Sequence, residues 1–267
     1  LKFAYLYAKA VTLIATHWQD TNDVIKRNRR IGCSQSGIQE AILKFGRRKY
    51  LTEYCDRAYT YIQYIDQKYS EWMGVPLSRK TTSIKPSGTV SLVAGALPGI
   101  HYAENESYYR TVRLSAISPM VDILKKANYR IEPAASDPTR TVVVYFPVIH
   151  EKGTISKHDV SIWEQFANAV DMQHYWADNQ VSITITFKQD ESDQIARALS
   201  CFDSRLKGVS LLPISDHGYA QAPYITTDSQ EIEAYAKELK PLDFNLLSEE
   251  GENADANKFC DSDGCEI

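Results

Sequence analysis

No run among the 267 residues approaches the roughly 20 consecutive apolar residues that a membrane-spanning helix needs, so a helical membrane protein is excluded. Leu1 to Trp18, with Lys2, Lys9 and His17 spread along it, lacks the layout of a signal peptide. A cytoplasmic location is therefore expected. The first residue is Leu rather than Met, which suggests a piece of a longer protein. No cluster of Lys and Arg is large enough to make a face for a nucleic acid polymer. Cysteine is sparse, at Cys33, Cys55, Cys201, Cys260 and Cys265, and only the last two are close in sequence. With no His or third Cys beside them, that pair makes an incomplete zinc set, and no metal site is expected. There is also no internal repeat.

What is present fits a folded body with a different end. Hydrophobic residues make up 43% and charged residues 24%, enough apolar surface for a full core at this length. The net charge of -4 is uneven: between Glu249 and Ile267 seven acids (Glu249, Glu250, Glu252, Asp255, Asp261, Asp263, Glu266) face only Lys258. That end carries -6 and the body +2. A segment this acidic, with Phe259 as its one large apolar side chain before the final Ile267, cannot offset its own ordering entropy and is expected to be mobile. Cys33, Cys55 and Cys201 fall in segments that read as regular structure, where a buried inert thiol is expected.

Periodicity predicts a helix over Leu1 to Trp18 with Leu6, Ala10, Leu13 and Ile14 on one face, then a short strand at Arg29 to Ser34. A long helix is predicted from Lys49 to Trp72, with Gly74 as its stop and its tyrosines (Tyr50, Tyr54, Tyr61, Tyr64, Tyr69) as packing residues. Tyr108 to Leu114 reads as β, and Ser118 to Asn128 as a helix with Ser118 as N-cap and Pro119 at its first position. Further strands are predicted at Thr141 to Phe146, Val181 to Phe187 and Val209 to Leu212. Helices are predicted at Asp159 to Tyr175, Ser192 to Leu206 and Ser229 to Leu239. Strands alternating with helices predict an α/β fold with a parallel sheet.

The stretch Thr81 to Ser91, TTSIKPSGTVS, has the most pointed chemistry. A short β-branched strand ends at Pro86, Ser87 and Gly88, and the residues from Thr89 onward can open a helix. Orphan N–H groups and the Ser87 and Thr89 hydroxyls would then surround one small concavity, suited to a phosphate. A plain tight turn with an ordinary helix cap is the competing reading. Arg110 and Arg113 could add positive charge near an anion, or stand as solvated surface groups.

Several segments in order resemble the C-terminal part of a ribonucleotide reductase catalytic subunit. They are NRRIGCSQSGI (28–38), TTSIKPSGTVSLVAGALPGIH (81–101), YYRTVRLS (108–115), WADNQVSITITF (176–187) and CDSDGC (260–265). The wording is most similar to the monomeric adenosylcobalamin-dependent ribonucleoside-triphosphate reductases, since no Tyr-Tyr pair of the class I kind follows Phe187. The resemblance implies the second half of a ten-stranded α/β barrel over residues 1–215, a peripheral segment over 216–248 and a mobile acidic redox tail over 249–267. It implies that Lys85, Pro86, Ser87, Gly88, Thr89, Val90 and Ser91 hold the phosphates of a ribonucleoside triphosphate. Cys260 and Cys265 would be the shuttle thiols that re-reduce the active-site disulfide and are themselves reduced by thioredoxin.

The cofactor implied is adenosylcobalamin, with contacts from Gly95 to Ser156 and from Ile214 to Asn253. No Asp-x-His-x-x-Gly motif is present, and His101, His150 and His217 in these regions are expected to be surface or hydrogen-bonded histidines. One departure is large: nothing here resembles the family's radical cysteine loop or its reducing cysteine pair. The resemblance therefore implies a missing N-terminal half as partner, without which this chain does not catalyse. A class I or dimeric cobalamin diphosphate reductase fragment, or a non-catalytic nucleotide-binding paralogue, are the alternatives.

Overall fold

A computed structural model describes residues 1–88, 90–215 and 221–246. The chain divides into two compact units, Leu1–Glu106 with His150–Gly218, and Ser107–Ile149 with Tyr219–Ile267.

The first unit is built on four extended segments running parallel, side by side. Cys33 bridges Thr82, Ile84 bridges Val181, and Thr184–Phe187 pairs with Ser210–Pro213. The backbone alternates partners as a parallel ladder does: Cys33 N–H donates to Thr81 O at 3.0 Å and Ser83 N–H to Cys33 O at 2.9 Å. On the other side of the same segment Ser182 N–H donates to Ile84 O at 2.9 Å. With a side-chain period of two, Ile31, Thr82, Ile84, Val181, Ile183 and Ile185 turn inward to one core. Ile62, Ile65, Phe166, Ala169 and Met172 join the apolar members of that row there, brought by helices Arg57–Met73 and Ile162–Tyr175. The residues between them are small or polar, among them Gly32, Ser83, Lys85 and Ser182, and lie on the opposite face.

Local signals account for the helix ends. Ser161 caps Ile162–Tyr175 by accepting from Glu164 N–H at 3.3 Å, and Gly74 ends Arg57–Met73 with a left-handed φ of 62°. The long helical run opens at Arg47–Lys49 and is π-wound over Tyr50–Asp56 before it continues. Its tyrosines divide: Tyr50 and Tyr69 are buried, whereas Tyr54, Tyr61 and Tyr64 stand exposed, Tyr54 with its ring stacked on Phe45.

The amino end departs most from expectation. The helix spans Lys2–Val11 only, and two further helices, Gln19–Asn28 and Ile38–Phe45, follow it. Leu13 and Ile14, expected on its apolar face, are exposed, and the buried residues are Tyr5 and Lys9. An ion pair explains this. Lys9 Nζ, fully buried, lies 2.6 Å from Asp66 Oδ1 and also reaches Ser70 Oγ (2.8 Å), Ser78 Oγ (3.0 Å) and Pro76 O (3.1 Å). Tyr5 donates to the same carboxylate at 2.9 Å. A hydrophobicity pattern cannot see a face whose centre is a satisfied ammonium.

The second unit carries a four-stranded antiparallel sheet in the order Ile131–Pro133, Thr141–Ile149, Ser107–Ser115, Tyr224–Ile225. The parallel arrangement expected for the whole chain thus holds in the first unit alone. The turn near Asp137 and Pro138 sends the chain straight back, so Thr141–Ile149 returns beside Ile131–Pro133 as a hairpin. Tyr109, Ala134, Val143, Tyr145 and Ile232 form its core against helix Ser229–Glu238. Helix Pro119–Lys126 starts as expected, with Ser118 as cap and Pro119 in the first turn. Residues 107–149, expected as part of a single body over 1–215, pack with 221–246 instead.

Breaking the buried pair from one side should be costly. Asp66→Ala leaves the Lys9 ammonium uncompensated and is expected to lower unfolding stability by about 3–5 kcal/mol, read by urea denaturation. Burial alone would raise the Asp66 pKa, but Lys9, Ser78 N–H and Tyr5 hold it below the usual carboxylate range. The stability it contributes is present above the unfolded value of about 3.9 and is lost as pH falls through the lower folded value.

Candidate functional site

The polar face of the parallel segments borders a cavity of about 520 Å3, lined among others by Arg30, Gly32, Ser83, Lys85, Gln180 and Ser182. Arg30 and Lys85 are exposed and enter none of the ion pairs among the described residues. Lys207 lies at the same edge, its amine pushed down by burial and by neighbouring Lys80 and Arg30. Several like charges with few counter-charges make this edge attractive to an anion.

Lys85 also opens the turn singled out in the sequence. Ser34 Oγ accepts the Lys85 N–H at 2.9 Å, and Ser87 sits in the left-handed region at φ 52°. The Ser87 Oγ lies 2.7 Å from Ser36 Oγ and accepts the Gly99 N–H at 2.9 Å. The helix expected from Thr89 is one turn, Val90–Val93, joined to the loop by Ser91 N–H donating to Ser87 O at 2.9 Å. A single turn adds little dipole. The backbone N–H groups of Ser87, Gly88 and Val90 find no acceptor among the described residues, and Ser91 Oγ is buried without a partner there. Buried hydroxyls are normally satisfied, so the Ser91 orphan is an exception that calls for a reason. Thr89 lies outside the described residues.

The other residues of interest are dispersed. Cys260, Cys265 and His217 lie outside the described residues. Arg110 and Arg113 belong to the second unit, where Arg110 covers the Tyr224 ring at 4.4 Å and Arg113 donates to Gln221 O at 3.3 Å. Most of 95–156 and the described part of 221–246 come together in that unit. Of the three scattered cysteines, Cys55 is buried and its thiol is pushed up to about 11 by burial, as an inert thiol should be. Cys33 is only partly buried and Cys201 is exposed, contrary to the expectation for all three. Ser34, Ser36 and Gly99 were not singled out by sequence, because their contacts with the loop cross 51 residues and 12 residues of chain.

His101 is a structural histidine. Thr184 N–H donates to its Nε2 at 3.1 Å, so Nδ1 carries the proton and donates to Pro98 O at 3.2 Å. Both ring nitrogens are therefore engaged.

Among known proteins, no family model matches the sequence. A probable adenosylcobalamin-dependent ribonucleoside-triphosphate reductase of Dictyostelium discoideum is 45% identical over the whole of this chain, and an adenosylcobalamin-dependent ribonucleoside-triphosphate reductase of Euglena gracilis is 42% identical over 98% of it. A crystal structure of a B12-dependent, class II ribonucleotide reductase superposes with a TM-score of 0.82 at 31% identity, covering 90% of this chain. The chain belongs to the adenosylcobalamin-dependent ribonucleotide reductase family. It spans 36% of the length of the two curated relatives and 38% of the crystallised reductase. The α/β content of this reductase segment and its similarity to the class II structure agree with the resemblance carried by the five motifs.

The His101 geometry gives a test of this reductase segment. Burial pushes the His101 pKa down, against the bond to Pro98 O, and a charged ring would also have to give up the Thr184 N–H bond. Its contribution is present above the unfolded value of about 6.5 and lost as pH falls through the folded value. The drop in thermal midpoint between pH 8 and pH 5 is expected to be smaller in His101→Gln than in the parent chain.

Proposed function

We propose that this chain acts as the C-terminal part of an adenosylcobalamin-dependent ribonucleoside-triphosphate reductase. It would supply the second half of a ten-stranded barrel whose other half comes from an N-terminal partner segment. The observation that carries the reading is the loop 85–91. Among the described residues the amides of Ser87, Gly88 and Val90 and the Ser91 hydroxyl have no partner, and the cationic Lys85 that opens the loop lines the 520 Å3 cavity. Backbone N–H groups take phosphate oxygens without side-chain reorganisation, and Lys85 adds charge without fixing direction. The triphosphate is held at this loop, and the ribose extends over the small polar face of Ser83 and Ser182, which leaves room for it.

Adenosylcobalamin, when bound, would supply the radical that starts the reaction. The donor set of 107–149 with 221–246 suits the amide-fringed edge of a corrin: Arg110 keeps N–H donors next to the partly exposed Tyr224 ring. His101 provides no ligand for cobalt, since both its nitrogens are engaged. The thiyl radical that removes the ribose 3′ hydrogen belongs to a cysteine of the partner segment. After loss of the 2′ hydroxyl a cysteine pair there becomes a disulfide, and Cys260 with Cys265 returns two electrons to it by thiol–disulfide exchange, drawing them in turn from thioredoxin.

Two experiments test this in the complete enzyme. Gly88 has open space where a side chain would go, so Gly88→Asp should fold normally and repel substrate; the nucleotide KM is expected to rise at least tenfold. Replacing both Cys260 and Cys265 by Ser should abolish turnover with thioredoxin while sparing a single turnover. Undiminished thioredoxin-driven turnover would remove the tail from the mechanism.

A further inference from the structure

We propose that Ser36 and Gly99 are positioning residues that set the shape of the phosphate loop, an inference that rests on the reading of 85–91 as that loop. Ser87 is not glycine, yet its φ is 52°, a conformation that places Cβ too close to the following carbonyl and relaxes unless it is held. Two groups hold it, both on its side-chain oxygen. Ser36 Oγ is 2.7 Å away, and the Gly99 N–H donates to it at 2.9 Å.

Gly99 acts a second time through what it lacks. A Cβ there would lie 2.3 Å from Lys85 O and 3.3 Å from Pro86 O, so this backbone lies flush against the first two residues of the loop, itself at φ 52°. Ser34 completes the hold by taking the Lys85 N–H at 2.9 Å. The loop is thus fastened from two outside segments, 34–36 and 99, through Lys85 and the Ser87 side chain. Its amides at Ser87, Gly88 and Val90 are left without acceptors among the described residues.

The chemistry follows from donor counting. The Ser87 hydroxyl has one proton and two lone pairs; the Gly99 N–H takes one lone pair, and Ser36 is a partner for either remaining role. When Ser36 donates, the Ser87 proton is free to be given to a phosphate oxygen. Removing the Ser36 hydroxyl loosens the left-handed turn and removes this polarising donor together. The bound triphosphate loses affinity, while the reacting ribose end keeps its groups.

The test uses the complete reductase with CTP as substrate, adenosylcobalamin and a small dithiol reductant. Ser36→Ala is expected to raise the CTP KM about fivefold to tenfold, the size of one lost hydrogen bond, with kcat changed less than twofold. Ser36→Thr, which keeps the hydroxyl, should restore KM. Gly99→Ala should raise KM further, with the thermal midpoint recorded so that loss of fold is separated from loss of binding. If Ser36→Ala leaves KM unchanged while Gly88→Asp raises it, the loop stands and the positioning role is overturned. A lowered thermal midpoint with unchanged KM likewise makes Ser36 merely structural. If Gly88→Asp also leaves KM unchanged, the loop reading falls and takes this inference with it.

Discussion

The segment Thr81–Ile84 is bonded on both edges, and the first unit depends on it. Its backbone pairs with 31–33 on one side and with 179–182 on the other. Its side chains then fasten the turn that begins the next strand. Thr81 N–H and Oγ1 both donate to Asp178 Oδ2, at 2.9 and 2.7 Å, and Thr82 Oγ1 donates to Trp176 O while accepting Asp178 N–H. Asn179 bridges Ile31 O and Thr82 O with one amide nitrogen, and Trp176 Nε1 donates to Ser83 O. The polar residues of TTSI and WADN are therefore mutual caps in a nearly dry place. A buried threonine here is satisfied within the protein, and each lost partner would leave another polar group unpaired.

This is why the proposed phosphate loop opens at Lys85 and not earlier. Up to Ile84 the backbone is paired with the flanking segments and the side chains with Trp176, Asp178 and Gln180. Beyond it the ladder ends, and Ser34, Ser36 and Gly99 brace the loop while the amides of Ser87, Gly88 and Val90 find no acceptor among the described residues. A rigid strand that ends in an externally braced turn can present donors with little reorganisation when an anion arrives.

How much of this the sequence disclosed depended on the range of the interactions. Ser118 with Pro119, Gly74, and the alternation in VSITITF are local signals, and each matched its element. The turn at Pro86 to Gly88 was visible for the same reason. The Lys9–Asp66 pair spans 57 residues and centres the buried face of the first helix on Tyr5 and Lys9, beside the partly buried Leu6, which no hydrophobic period could have revealed. The division of the chain failed similarly, because residues 107–149 find their core in Ile232 and Tyr235, far along the chain. For the loop, the pattern showed that an anion could be held. The serines that brace it are ordinary residues in CSQS until the fold brings them near.

The second unit's first piece leaves the first unit after Glu106 and comes back at His150, and His150 N–H donates to Glu106 O at 2.9 Å. Departure and return thus share one doorway. A segment whose ends are joined in this way has the geometry of a tolerated insertion, as 107–149 does. Selection could lengthen, reshape or replace what hangs there while the parallel segments that brace the loop keep their register.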